Sequence, residues 1–374
     1  MTMSGRISQS AFDGSRLRVI LLLDLYEGAQ EQFLEAYEHM RNAVASVPGH
    51  ISDQLCQSIE NPSQWLITSE WESAPPFLAR VNSEEHVETV RPMHSCVRDT
   101  RSMRYSVVRE TFPEQPLPPG AATSGLQSEV RVGDGVARHA LTFTVKPGSE
   151  SKVAELLAGY DSPKAQVDDT TRLRRTSLFM HGNRVVRAVE VEGDLLAALR
   201  HVARQPGVRA VEEALNPYLE QDRDLADPES ARLFFTRAAL PAVHHVTAGR
   251  PEPRGLRRHA LYYPAVQGRG TDLARFLAHQ DEAAAGDPDS PVHASTVFQR
   301  DDIVVRLVDV TGDLDLDPLA ALGSKGPGKA AELRRLLDGA AIGVEGDLDS
   351  ERTLNRLLSH ADMLPVTDRS AAAS

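Results

Sequence analysis

The chain has 374 residues, 41% hydrophobic and 25% charged, which gives enough apolar content for a sizeable core and excludes wholesale disorder. A net charge of -12 and a pI near 5.6 argue against a nucleic-acid groove or a surface for anionic membranes. No apolar run approaches the ~20 residues of a membrane-spanning helix. Two cysteines, Cys56 and Cys96, make no disulfide framework, so a cytoplasmic location is expected.

Residues 1–15, polar and without an apolar h-region, read as a disordered leader. A first module is predicted over 16–110. Within it, Arg18 to Leu25 is rich in branched residues and predicts a strand. Glu31 to Val47 sets Phe33, Leu34, Tyr37, Met40 and Val44 at helical spacing, and Pro48-Gly49 stops that helix. His50 to Ile59 and Trp65 to Trp71 predict strands joined by the turn Glu60-Asn61-Pro62-Ser63. Pro76 to His94 predicts a second helix and Ser102 to Val108 a fourth strand. Residues 111–136, rich in Pro and Gly, predict an exposed linker. A second module follows over 137–245, a linker over 246–255, a third module over 256–367 and a frayed tail over 368–374.

The modules are copies. RHAL occurs at Arg138 to Leu141 and again at Arg258 to Leu261. VVRAVEVEGDL (Val185 to Leu195) faces VVRLVDVTGDL (Val304 to Leu314), identical at eight of eleven positions. The first third fits the same ruler more faintly, with Arg18 on Arg138 and Arg258, Gly28 on Gly148 and Gly268, and Glu70 on Glu190 and Asp309. A period near 120 residues with strand, helix, strand, strand, helix, strand in each unit predicts an α+β fold of three tandem ferredoxin-like modules. Such a sheet leaves one face bare, so at least two modules are expected to pack sheet to sheet, and an odd module to pair with a second copy of the chain.

Strand alternation sets Trp65, Ile67, Ser69 and Trp71 on one face, and these are the chain's only two tryptophans. The matching positions hold Val185 and Val191, then Val304 and Val310, so the fold itself does not require indole there. Two indoles on one strand face either fill a core or wall a flat slot for a planar aromatic ligand. His244-His245, adjacent on a strand, point apart and suit one metal poorly. Arg187 and Arg306 fall on the otherwise apolar strand faces, where pairing with a carboxylate is the expectation over a second polar pocket.

The run VPGHISDQLCQSIENPSQWLITSEWES (Val47 to Ser73) resembles the antibiotic-biosynthesis monooxygenase domains, and the two later modules resemble the SchA/CurD-like domain of actinobacterial aromatic polyketide clusters. The resemblance implies small α+β barrels of the dimeric type, a dry apolar substrate slot and oxidation of an aromatic polyketide, from phenol or anthrone-type ring to quinone, with molecular oxygen as co-substrate and neither metal nor flavin. It carries a catalytic role to Asn61 and Trp65. Trp71 stands where a tyrosine is usual, and Glu85 where an arginine is usual, so that Arg80, His86 or Arg91 would have to substitute. His50 or His86 is the expected base; Trp71, Tyr37, Ile67 and Arg91 are the expected substrate contacts. The competing expectations are a polyketide cyclase or aromatase, which needs acid–base groups alone, and a non-catalytic scaffold for a cyclase–oxygenase complex. The partners expected are the small-molecule aromatic polyketide, polyketide cyclases and a second copy of the chain.

Overall fold

A computed structural model describes residues 6–81, 83–108, 133–159, 163–253, 255–344 and 346–371. It divides into two compact bodies, Ser10–Arg131 and a larger one formed by Met1–Gln9 with Val132–Ser374. The chain opens with strand β1 (Ser8–Ser10), which pairs with a strand of the larger body. The segment read as a disordered leader therefore contributes an edge strand.

The smaller body contains β2 (Leu17–Leu25), α1 (Gln30–Ala45), β3 (His50–Gln57), β4 (Gln64–Trp71), α2 (Ala74–Val81), α3 (Glu84–Ser95) and β5 (Val97–Ser106). Its sheet is antiparallel in the order β3-β4-β2-β5. Alternation along β2 buries Leu17, Val19, Leu23 and Leu25, which meet the stripe of Phe33, Tyr37, Met40 and Val44 on α1. Gly49, at φ +85, ends the turn after α1, and a Cβ there would lie 2.7 Å from Pro76 Cγ, so the close approach of α2 requires glycine. The single second helix expected over Pro76 to His94 is two helices, with Ser83 capping the second. The fourth strand begins at Val97 rather than Ser102.

The larger body holds two further copies of the same order. One runs β6 (Val136–Thr144), α4 (Glu150–Ala158), β7 (Arg172–His181), β8 (Arg184–Glu192), α5 (Leu195–Arg204), α6 (Pro206–Leu215), α7 (Pro228–Ala238) and β9 (Ala239–Thr247). The other runs β10 (Arg257–Pro264), α8 (Gly270–Gly286), β11 (Val292–Arg300), β12 (Ile303–Val310), α9 (Pro318–Ala321), α10 (Lys329–Leu336), α11 (Glu351–Ala361) and β13 (Leu364–Ser370). The strands follow one path, β10-β12-β11-β9-β6-β8-β7-β13, with β1 on β9. The fourth strand of each copy thus pairs with the second strand of the other. A bridge between Leu261 and Asp362, and the bond from Met363 N–H to the Ala260 carbonyl at 2.8 Å, bring the two ends of the path together. The two copies do face one another, but as a closed barrel sharing edges and not as two stacked sheets. β13 reaches Ser370, so the first three residues of the expected tail, Asp368 to Ser370, belong to a barrel strand.

The barrel interior is apolar through its middle, where Ala140, Phe179, Val186, Leu240, Phe298 and Val305 pack together. One end is ionic. Arg258 reaches Glu190 of the other copy at 2.6 Å and Asp309 at 2.7 Å, while Arg175 reaches Asp309 at 3.2 Å and Asp368 at 2.5 Å. The sequence-matched pairs Arg18/Glu70, Arg138/Glu190 and Arg258/Asp309 are cross-strand neighbours in all three copies. The expected linker over 111–136 lies almost wholly outside the described residues.

Candidate functional site

The face of β4 carrying Trp65, Ile67, Ser69 and Trp71 turns toward the helices, leaving Trp71 at 2% exposure. The indoles meet other aromatic rings. Trp65 lies 5.5 Å from Phe33 of α1; Trp71 lies 5.5 Å from Phe77 of α2 and 5.1 Å from His50 of β3. Both indole N–H groups are satisfied, Trp65 donating to the Pro62 carbonyl at 3.1 Å and Trp71 to the Ser69 hydroxyl at 2.6 Å. The tryptophans are therefore packed as core, ring against ring, in this structure.

Polar groups collect near Trp71. His50 Nε2 stands 2.8 Å from Asp53 Oδ2, with both side chains shielded. Residues three apart on a strand normally face opposite ways; a bulge between His50 and Ser52 restores them to one face. Tyr37, buried on α1, has its phenol pKa raised by burial and then by the Asp53 carboxylate. Arg80 follows Phe77 by one helical turn, its Nη1 2.9 Å from Glu85 Oε1. His86, half-buried on α3, has its pKa lowered to about 4, first by burial and then by Arg80, so it is neutral at pH 7. The Ser83 hydroxyl donates to the Arg80 carbonyl at 2.8 Å and accepts from the His86 N–H at 3.1 Å. That one cap fixes the backbone positions of both side chains.

Of the expected site residues, Trp65, Ile67 and Trp71 share the helix-facing surface of β4, with His50 against Trp71. Two stand apart. Asn61 is exposed on the β3–β4 turn, its Oδ1 accepting from the Ser63 N–H at 3.2 Å and hydroxyl at 2.9 Å, which is turn chemistry. Arg91 is exposed and paired with Glu88 at 2.8 Å. Sequence reasoning missed Asp53, because the bulge that turns it inward leaves no mark in the alternation, and missed Phe77, whose ring closes on Trp71.

The larger body fills the equivalent surfaces differently. Val185, Val191, Val304 and Val310 are buried in place of the indoles. Arg187 pairs with Glu212, and Arg306 pairs with Asp281 at 2.5 Å with both groups fully buried, as the carboxylate expectation held. A cavity of about 160 Å³ beside Arg306, lined also by Gln280, Ala284, Ser290 and Lys325, is smaller than the ~300 Å³ from which ligand pockets usually start. His245 is buried on β9 with its Nδ1 2.9 Å from Thr296 Oγ1. Among the described residues no group of three or more His, Cys, Asp or Glu is arranged to hold a metal ion, and no helix is long and apolar enough to cross a membrane.

Residues 16–92 match the family described as antibiotic biosynthesis monooxygenase, and residues 136–248 match the SchA/CurD like domain. The chain is 69% identical over 372 residues to the protein named polyketide synthase CurD of Streptomyces cyaneus, covering 100% of both. It is 63% identical to a 42.8 kDa protein in the whiE locus of Streptomyces coelicolor, covering 100% of this chain and 92% of that one. Protein SchA of Streptomyces halstedii is 61% identical, over 100% of this chain and 98% of its own. Among solved structures, SnoaB, a cofactor-independent oxygenase from Streptomyces nogalater, aligns with 27% of this chain and 99% of its own at 13% identity and a TM-score of 0.25.

Proposed function

The chain belongs to the SchA/CurD family, in which an antibiotic biosynthesis monooxygenase domain precedes a SchA/CurD-like domain, and from that premise we propose that its first module is a cofactor-independent monooxygenase of aromatic polyketide biosynthesis. The names of the relatives support the pathway, and the family matched by residues 16–92 supports the reaction class. The observation that carries the reading is the chain's two tryptophans on one buried strand face, beside a shielded His50–Asp53 pair, where both other copies hold valine.

The substrate is an anthrone-type or phenolic ring. His50, oriented by Asp53, removes the proton from the ring CH or hydroxyl. The electron-rich anion passes one electron to dioxygen, and recombination forms a carbon–peroxide bond. Loss of water then leaves a carbonyl, so one oxygen atom enters the ring and the other departs in water. The substrate itself is the reductant, the task a flavin otherwise performs. Trp65, Trp71, Phe33 and Phe77 would hold the ring and exclude water from the carbanion. Asn61, at the turn, would meet the peroxide oxygens only by leaving its bonds to Ser63. His86, already neutral, is an alternative base. The two later modules act as a SchA/CurD-like pair, and the protein works in the cytoplasm as a homodimer.

Oxygen uptake by the purified chain with 1,8-dihydroxyanthrone tests this, with His50→Ala as the comparison. Stoichiometric consumption of oxygen and formation of the anthraquinone, reduced by about 10²-fold or more in His50→Ala, is the expected result. No enzyme-dependent uptake sinks the oxygenase. The His50–Asp53 pair also favours a second reading, aldol cyclisation or aromatisation of a poly-β-ketone, which needs a base and no oxygen; unchanged turnover under anaerobic conditions would select it.

A further inference from the structure

We infer that Arg80 and His86 form a subsite for a two-oxygen anion, a carboxylate or the enolate of a 1,3-dicarbonyl, borne on the planar ring held by the tryptophans. The Arg80 side chain is only 9% exposed. Its Nη1 faces Glu85, but Nε and Nη2 are shielded and have no hydrogen-bond partner, and neither has His86 Nδ1 beside them. Nε and Nη2 make up one edge of the guanidinium, the fork that grips two oxygens at once. Glu85 is 75% exposed, so it compensates this buried charge weakly. A guanidinium with an empty buried edge is costly, and the ligand that cancels the cost is an anion with two adjacent oxygens.

The surroundings fit that ligand. Arg80 lies one helical turn from Phe77 on α2, and the Phe77 ring packs on Trp71, so the helix that carries the arginine also carries part of the aromatic cluster. The neutral imidazole of His86 adds a hydrogen bond without adding charge. Ser83 holds the two residues in register through its bonds to the Arg80 carbonyl and the His86 N–H. Glu85, in the first turn of α3, pairs with Arg80 across the break between α2 and α3.

This inference rests on the first module being the ligand-binding module of the proposed function, but not on its using oxygen. The test is anaerobic titration of the full chain, followed by the fluorescence of its only two tryptophans. The probes are 2-naphthoate and ionised 2-acetyl-1,3-indandione, against neutral 2-naphthamide. At least one anion should bind about tenfold or more tighter than the amide, and the tighter one identifies the oxygen source. Arg80→Gln should bring anion and amide within about twofold while leaving amide affinity unchanged. Arg80→Lys, which keeps the charge and loses the fork, should also lose most of the preference, and thermal melts check that both variants fold. Equal binding in the wild type, a preference that survives Arg80→Gln, or no anion binding by about 1 mM would overturn the subsite. Intact anion preference with no oxygen uptake would remove the oxygenase reading alone.

Discussion

Trp71 touches both His50 and Phe77 and is closed to solvent, so its removal damages core and site together. Trp71→Ala should cost about 3–5 kcal/mol, and a loss of turnover there would not separate the two roles. Trp65→Phe and Trp71→Phe keep an apolar ring; chemical denaturation should show losses below about 2 kcal/mol, with turnover still reduced. Val185→Ala, at the position matching Trp65, should destabilise by about 2 kcal/mol and leave turnover unchanged. Full activity in both phenylalanine variants would move the chemistry elsewhere. His86 adds a pH dependence with a definite sign. Its folded pKa, near 4, lies below its unfolded value, so the unfolded chain binds the extra proton between those values. Stability is therefore fully present above about pH 6.5 and falls as pH drops toward 4, by on the order of 2 kcal/mol. Denaturant midpoints across that window should flatten in His86→Gln; an unchanged slope would contradict the burial of a neutral imidazole. Legibility at this scale followed geometry. The indoles were visible because alternation encodes a face, whereas Asp53 was hidden by a bulge, and Asn61 proved to use its side chain in its own turn.

Elements were legible where one face is apolar. β2 and α1 announce themselves by period, and the copies VVRAVEVEGDL and VVRLVDVTGDL fall on β8 and β12 in the same register against β6 and β10. β5 was read short because VRDTRSMRYS has little apolar alternation; its place is set by pairing with β2, which no local pattern encodes. The α2–α3 break escaped because a capping serine inside a polar run resembles any helix surface. The ion pair between α8 and β12 is the element-scale counterpart of the buried site. Arg306 replaces the apolar side chain that Ile67 supplies in the first copy, and Asp281, Ser295 and the Ala321 carbonyl satisfy it. Asp281→Asn leaves the guanidinium without its countercharge and should destabilise the larger body by about 3–5 kcal/mol. The double change Arg306→Leu with Asp281→Leu should recover much of that loss in equilibrium unfolding. A negligible effect of Asp281→Asn would show that the pair does not hold α8 to the sheet.

At the scale of the whole chain, the larger body shows what these sheets require. Each of its copies has one face covered by helices and the other by its sister, and each fourth strand completes its pairing on the sister's second strand. The smaller body has the same strand order, with β3 and β5 at the edges of its sheet. On the face away from its helices, Leu22 is 42% exposed and Tyr105 49%. Arg18 and Glu70, which lie on that face, are cross-strand neighbours as Arg258 and Asp309 are inside the barrel. We propose that a second copy of the chain would supply what the sister copy supplies elsewhere, β5 of one against β3 of the other, twice, about a two-fold axis. Burial of such a face by an identical one leaves no unpaired strand edge in the assembly. Light scattering should therefore return twice the 40.9 kDa chain mass. Leu22→Arg, at the centre of the face, should give a folded monomer, because two like charges would meet across the axis without a countercharge. A monomer in the unaltered protein at high concentration, or a dimer insensitive to Leu22→Arg and Tyr105→Glu alike, would show that this sheet is completed in some other way.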